Sequence, residues 1–189
     1  MRLRTSTRAE WTAAVLADLD AFLLDHAANE RKASAAALAL VAHYPDRREL
    51  VERCIALAIE ELEHFRDVHT HLGERGLTAG PDTRSEYLRR LAASFRAGSE
   101  DYFLDRLVTA AIVEARGCER FGLVAAALPP GALKELYREL ARSEVRHQEL
   151  YLELARIYFD ETAVAPRLEE LLEAEAQVIA ELPIRAALY

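Results

Sequence analysis

Apolar and polar positions in this chain follow a helical period almost throughout. The two-residue alternation that marks a strand is nearly absent, and no hairpin dipeptide interrupts the pattern. Three helix starts carry a capping residue three positions before a Glu: Thr7 with Glu10, Asp46 with Glu49 and Thr83 with Glu86. Breaks fall at Tyr44-Pro45, from Gly73 to Pro81, at Ala97-Gly98, at Pro129-Pro130-Gly131 and at Ala165-Pro166. The pattern therefore predicts helices over roughly 8–16, 18–43, 46–73, 84–97, 100–127, 131–160 and 166–182.

Four of these, 18–43, 46–73, 100–127 and 131–160, are long enough for ~40 Å of helix at 1.5 Å rise per residue. Tight turns join the first two and the last two, and a longer crossing containing 84–97 joins the halves. Two helical hairpins and one long crossover give an all-α, ferritin-like four-helix bundle with additional peripheral helices. At 189 residues the chain suits one such domain over 1–189.

Composition adds limits. The chain is 51% hydrophobic and 30% charged, with few Gly and Pro, as a helical globule requires. No uncharged run approaches the length of a membrane span, and the N-terminal residues lack the apolar core of a secretory signal. Cys54 and Cys118 show no pairing pattern, which suits a reducing, cytoplasmic setting. A net charge of −8 argues against a nucleic-acid partner held by bulk charge.

The chemistry lies in two Glu-x-x-His pairs, Glu61 with His64 and Glu144 with His147. Residues three apart share one helix face, so each pair aims at a single spot. Six histidines and 23 glutamates in 189 residues would give less than one such pair by chance. The spacing is more specific than the count. Each pair lies in the second helix of a hairpin, about 30 residues after a Glu in the first, Glu30 and Glu114. A Glu from each of two helices and Glu-x-x-His from each of the others is the donor set of ferritin-like dinuclear carboxylate sites. Carboxylates on core-facing stripes are costly unless paired or metal-bound, and oxygen with imidazole donors favours iron, with manganese second, over zinc or calcium. His69 and His71 read as surface residues at a helix end. His26, one turn before Glu30, either faces the site or fills the core. Tyr137 and Tyr151, seven residues either side of Glu144, read as packing. Arg31, Arg116 and Arg146 stay open between carboxylate partners and phosphate contacts. No phosphate loop, nucleophile elbow or CxxC pair is present.

The stretches "DHAANERKASAAALALVAHYP", "LAIEELEHFRDVHTHLGERGL", "IVEARGCERFGLVAAAL" and "YRELARSEVRHQELYLELA" closely resemble the tRNA hydroxylases that act on 2-methylthio-N6-isopentenyladenosine beside the anticodon. The likeness runs from about Asp25 to Ala155. It implies iron ligands at Glu30, Glu61, His64, Glu114, Glu144 and His147, the six that spacing selects. It also implies an O2-dependent di-iron monooxygenase acting on the tRNA anticodon loop, supplied with electrons by a reductase or other external donor. Two divalent ions would bring the formal charge from −8 to about −4. Arg84, Arg89, Arg90, Arg96 and Arg106 offer a local basic rim. A ferritin-like iron oxidase or storage protein, or a di-iron oxygenase with another substrate, is the alternative. Nothing in the sequence fixes the oligomeric state, with a monomer the simpler expectation.

Overall fold

The structure is a computed structural model and describes residues 1–81 and 84–189. The described residues form seven helices and no strand. They are α1 (Ala9–Ala17), α2 (Leu19–His43), α3 (Arg48–Glu74), α4 (Glu86–Ala92), α5 (Ser99–Ala127), α6 (Ala132–Tyr158) and α7 (Glu161–Glu181). Helices α2 and α3 pack as one hairpin and α5 and α6 as the other, with α3 also meeting α6. The segment between α3 and α5 carries α4 and is the long crossover, so the bundle is ferritin-like. Gly98, at φ 104°, turns the chain into α5 in a conformation that few residues besides glycine adopt. Helix α7 returns along α5 and α4, and α1 packs on α2 and α5.

Helix ends depart from the capping signals. Arg8 and Arg47 occupy the N-cap positions of α1 and α3 without side-chain caps. Thr7 instead gives its N–H and hydroxyl to Glu119, where a long-range partner replaces the local one. Thr83 lies outside the described residues, and Ser85 caps α4 by accepting from the Leu88 N–H. Helix α4 ends at Ala92 rather than 97. Beyond it, the carbonyl of Ser94 and the N–H of Arg96 bond to Arg167 and Asp105. Helix α7 begins at Glu161 and carries Pro166 inside it, where a break was expected. Burial of Val164 and the Arg167–Asp105 pair offset the missing proline N–H.

The apolar core comes in two parts. One gathers Leu40, Leu50, Leu57, Phe103, Leu107, Tyr151 and Leu154. The other gathers Trp11, Phe22, Leu23, Val68, Leu72, Phe121, Val124, Tyr137 and Leu140. Along each long helix the carboxylate and histidine positions fall between these two, forming one polar belt across the bundle. Trp11 packs edge-on to Phe22 and donates its indole N–H to the Ala187 carbonyl, so α1 belongs to the bundle.

Candidate metal centre

Each long helix brings its donors to the belt. Helix α2 supplies Glu30, α3 Glu61 and His64, α5 Glu114, and α6 Glu144 and His147. The four carboxylates and His147 are at most 9% exposed, and His64 is largely buried. They form two sets whose donor atoms all lie within 4.8 Å of one another: Glu30, Glu61, His64 and Glu144; and Glu61, Glu114, Glu144 and His147. Glu61 and Glu144 belong to both. Glu61 turns one oxygen to each set, Oε2 at 3.3 Å from His64 Nδ1 and Oε1 at 2.8 Å from His147 Nδ1. The spacing thus brings together all six residues it selected.

Glu61 Oε1, Glu144 Oε2 and His147 Nδ1 are buried without a hydrogen-bond partner among the described residues. Such atoms are rare, because each forfeits its hydration. Here Glu61 Oε1 and Glu144 Oε2 stand 2.8 and 3.3 Å from His147 Nδ1, grouped as donors around a shared cation are. Two adjacent oxygen–imidazole sets sharing two carboxylates fit a pair of divalent iron or manganese ions.

Without metal, protons take the cation's place. Burial pushes the Glu114 carboxyl up, and the charges of Glu144 and Glu61 push it further, well above the usual carboxylate range. Burial alone would lower the histidines. The adjacent Glu30 and Glu61 outweigh it at His64, holding it at about 10, and Glu144 and Glu61 outweigh it at His147, holding it at about 12. Burial would raise Glu30, yet His26 and His64 bring it down to about 2.

A second layer fixes these donors. His26 lies outside both sets. Its Nε2–H donates to Glu30 Oε1 at 2.5 Å, and its Nδ1 accepts from the Tyr137 hydroxyl at 2.9 Å. Tyr137 therefore does more than pack. On the other side, Glu60 Oε2 stands 3.3 Å from His147 Nε2, while Glu60 Oε1 accepts from Ser143 and Arg146. Glu60 was not visible as a site residue, since it follows neither the hairpin spacing nor the Glu-x-x-His rule. Arg116 turns away from the site to Glu175, Glu119 and the Thr5 carbonyl. His69 is exposed and His71 pairs with Glu74, as surface residues. Of the proposed basic rim, Arg89 and Arg90 are held by Glu86, Arg90 also by Glu181, and Arg96 by Asp101 and Asp105.

Beside the donors lies a cavity of about 180 Å³ between α2, α4, α5 and the segment after α7. Glu30, Glu61, Glu114 and Glu144 form one wall, and Ala33, Ala110, Val113, Phe121, Leu88 and Leu188 much of the rest. Tyr151 and Tyr189 also line it. Ala36 is exposed and Lys32 and Leu88 half-buried, so the opening lies between α2 and α4. Gly117 leaves room for Tyr189, whose hydroxyl donates to the Val113 carbonyl; a Cβ at 117 would stand 3.2 Å from that oxygen.

Comparison with known proteins agrees with this geometry. Over 172 residues the chain is 38% identical to the tRNA 2-(methylsulfanyl)-N(6)-isopentenyladenosine(37) hydroxylase of Pseudomonas putida, covering 89% of this chain and 82% of that protein. The Salmonella typhimurium protein of the same name is 34% identical over 135 residues, 71% of this chain and 49% of that one. Among solved structures, a Synechococcus protein described as having aldehyde deformylating oxygenase activity superposes with a TM-score of 0.92 at 35% identity, covering 98% of this chain and 93% of its own. Residues 1–186 match the tRNA-(MS[2]IO[6]A)-hydroxylase (MiaE) family, and with both donor sets and the fold in place, the chain belongs to that family of tRNA hydroxylases.

Proposed function

We propose that this chain is an O2-dependent di-iron monooxygenase that hydroxylates a terminal methyl of the isopentenyl group of 2-methylthio-N6-isopentenyladenosine in the tRNA anticodon loop. The observation that carries this reading is the mostly apolar cavity, open between α2 and α4 and walled on one side by four buried carboxylates. Glu30, Glu61, His64, Glu114, Glu144 and His147 would hold two iron ions. The reaction turns a C–H bond into C–OH and consumes O2, two protons and two electrons, releasing one water, so an external two-electron donor is required. Bound iron would supply O2 reduction and oxygen insertion.

The remaining work belongs to the chain. His26 and Tyr137 fix the outer oxygen of Glu30, and Glu60 with Ser143 sets the ring of His147. Such outer partners orient metal ligands and raise their basicity. The apolar walls exclude water and receive the alkyl branch. A cavity of roughly 150 Å³ accepts a benzene ring, so about 180 Å³ has room for a branched five-carbon group. An unpaired loop base enters at little unstacking cost. A tRNA substrate implies a cytoplasmic setting, and no helix among the described residues is long and apolar enough to cross a membrane.

The test is to load the protein with iron and supply tRNA carrying the modified base, reductant and O2, then digest the RNA and weigh its nucleosides. A gain of one oxygen on that base, lost in Glu114→Ala, is expected. The likeness to the Synechococcus protein favours a second reading, an oxygenase that removes the formyl group of an aldehyde. No oxygen gained on the RNA, with an aldehyde losing its formyl carbon, would establish that reading instead.

A further inference from the structure

Four buried polar atoms lack a hydrogen-bond partner among the described residues, and the donor sets account for three of them. The fourth is the hydroxyl of Thr109. Thr109 is 8% exposed, sits on α5 five residues before Glu114, and lines the same cavity as the carboxylates. A helical threonine ordinarily satisfies its hydroxyl on the carbonyl three or four residues back; this one does not. A buried hydroxyl left without a partner destabilises the fold, so it calls for a partner from outside the chain.

The substrate's alkyl branch provides none, because it is hydrocarbon. The product does. Resting on the hydroxylase reading, we infer that Thr109 is a positioning residue for the oxygen that the reaction introduces, and that it selects which of the two terminal methyls is hydroxylated. Those methyls share one alkene carbon and are nearly equivalent chemically, so their discrimination has to come from where the protein holds them. Much of the cavity lining, including Ala33, Ala36, Ala110 and Val113, cannot hydrogen-bond an alcohol through its side chain, and the Tyr189 hydroxyl is committed to the Val113 carbonyl. Thr109 is thus a polar handle in a largely apolar wall. The step it biases is the one already balanced above, with the C–H of one methyl becoming C–OH.

The test compares Thr109→Val, which keeps the shape and removes the hydroxyl, with Thr109→Ser, which keeps the hydroxyl. Three readouts apply. The ratio of the two geometric isomers of the hydroxylated nucleoside should fall about fivefold in Thr109→Val, the factor set by one neutral hydrogen bond, and hold in Thr109→Ser. In protein without reductant, the preference for an anticodon stem-loop carrying the hydroxylated base over the unhydroxylated one should fall by a similar factor. The melting temperature of ligand-free Thr109→Val should rise, because an unpaired buried hydroxyl is gone; a threonine that merely stabilised the fold would give a fall. Unchanged isomer and binding ratios, with a wild type that hydroxylates, would overturn the inference alone. A wild type that leaves the base unhydroxylated would overturn the reading beneath it.

Discussion

Removing metal from this protein should leave a fold whose stability falls as pH rises. In the metal-free state His64 is held at about 10 and His147 at about 12, against 6.5 for an ordinary imidazole. A folded-state value above the unfolded one means that the native protein binds the extra protons. Their stabilisation is fully present below about pH 6.5 and is lost as pH rises toward 10 for His64 and 12 for His147. From about pH 7 to about 9 both imidazoles stay protonated in the native cluster and neutral in the unfolded chain. Each then removes about 1.4 kcal/mol per pH unit, or roughly 3–6 °C of melting temperature for a protein of this size. Glu114, raised well above its usual range, shifts stability in the same direction. Metal binding takes these protons' place, so the loaded protein should lack the slope and metal should bind more tightly at higher pH. The assay is a series of melts over that range with metal-free, iron-loaded and His64→Gln/His147→Gln protein. A metal-free melting temperature flat from about pH 7 to about 9, or one that the double variant leaves equally steep, would refute the electrostatic argument.

Other substitutions separate fold from site. Glu175 meets the fully buried Arg116 through two hydrogen bonds of 2.8 and 2.9 Å. Glu175→Ala should cost about 2–3 kcal/mol by urea denaturation, because it removes two charged hydrogen bonds from a buried guanidinium that keeps Glu119 and the Thr5 carbonyl, while Arg116→Met with Glu175→Leu should recover most of that loss. His26→Gln should lower iron affinity about 10–100-fold through Glu30, read by competition with a chelator, and leave the urea midpoint far less changed than Glu175→Ala. Gly117→Ala should displace Tyr189, whose hydroxyl would stand 3.2 Å from the new Cβ, and lower turnover with iron content unchanged.

The sequence exposed the six candidate donors because two periodicities coincided. The three-residue step put each Glu-x-x-His pair on one face, and the hairpin length placed Glu30 and Glu114 at the same level of the bundle. His26 stayed ambiguous because a position one turn from Glu30 fits both a ligand and an outer partner; Tyr137, which settles the matter, lies 111 residues away. Glu60, Thr109, Leu188 and Tyr189 could not be read, since each gains its role only across elements. Local rules also gave way to distant contacts at helix ends. Thr7 left its capping position for Glu119, and Pro166 sits within α7 because Val164 and Arg167 are anchored on either side of it. The arginines of the crossover read as a basic rim although Glu86, Asp101 and Asp105 lie within ten residues of them; only the Arg90–Glu181 pair is distant in the chain.

The most direct test of the central claim uses isotopically heavy O2 with iron-loaded protein, reductant and tRNA carrying the methylthio-isopentenyl base. One heavy oxygen atom is expected on the isopentenyl group, none on the rest of the RNA, and none at all in Glu114→Ala protein. Hydroxylated nucleoside that carries oxygen from water, or heavy O2 consumed by iron-loaded protein with the base unchanged, would contradict it.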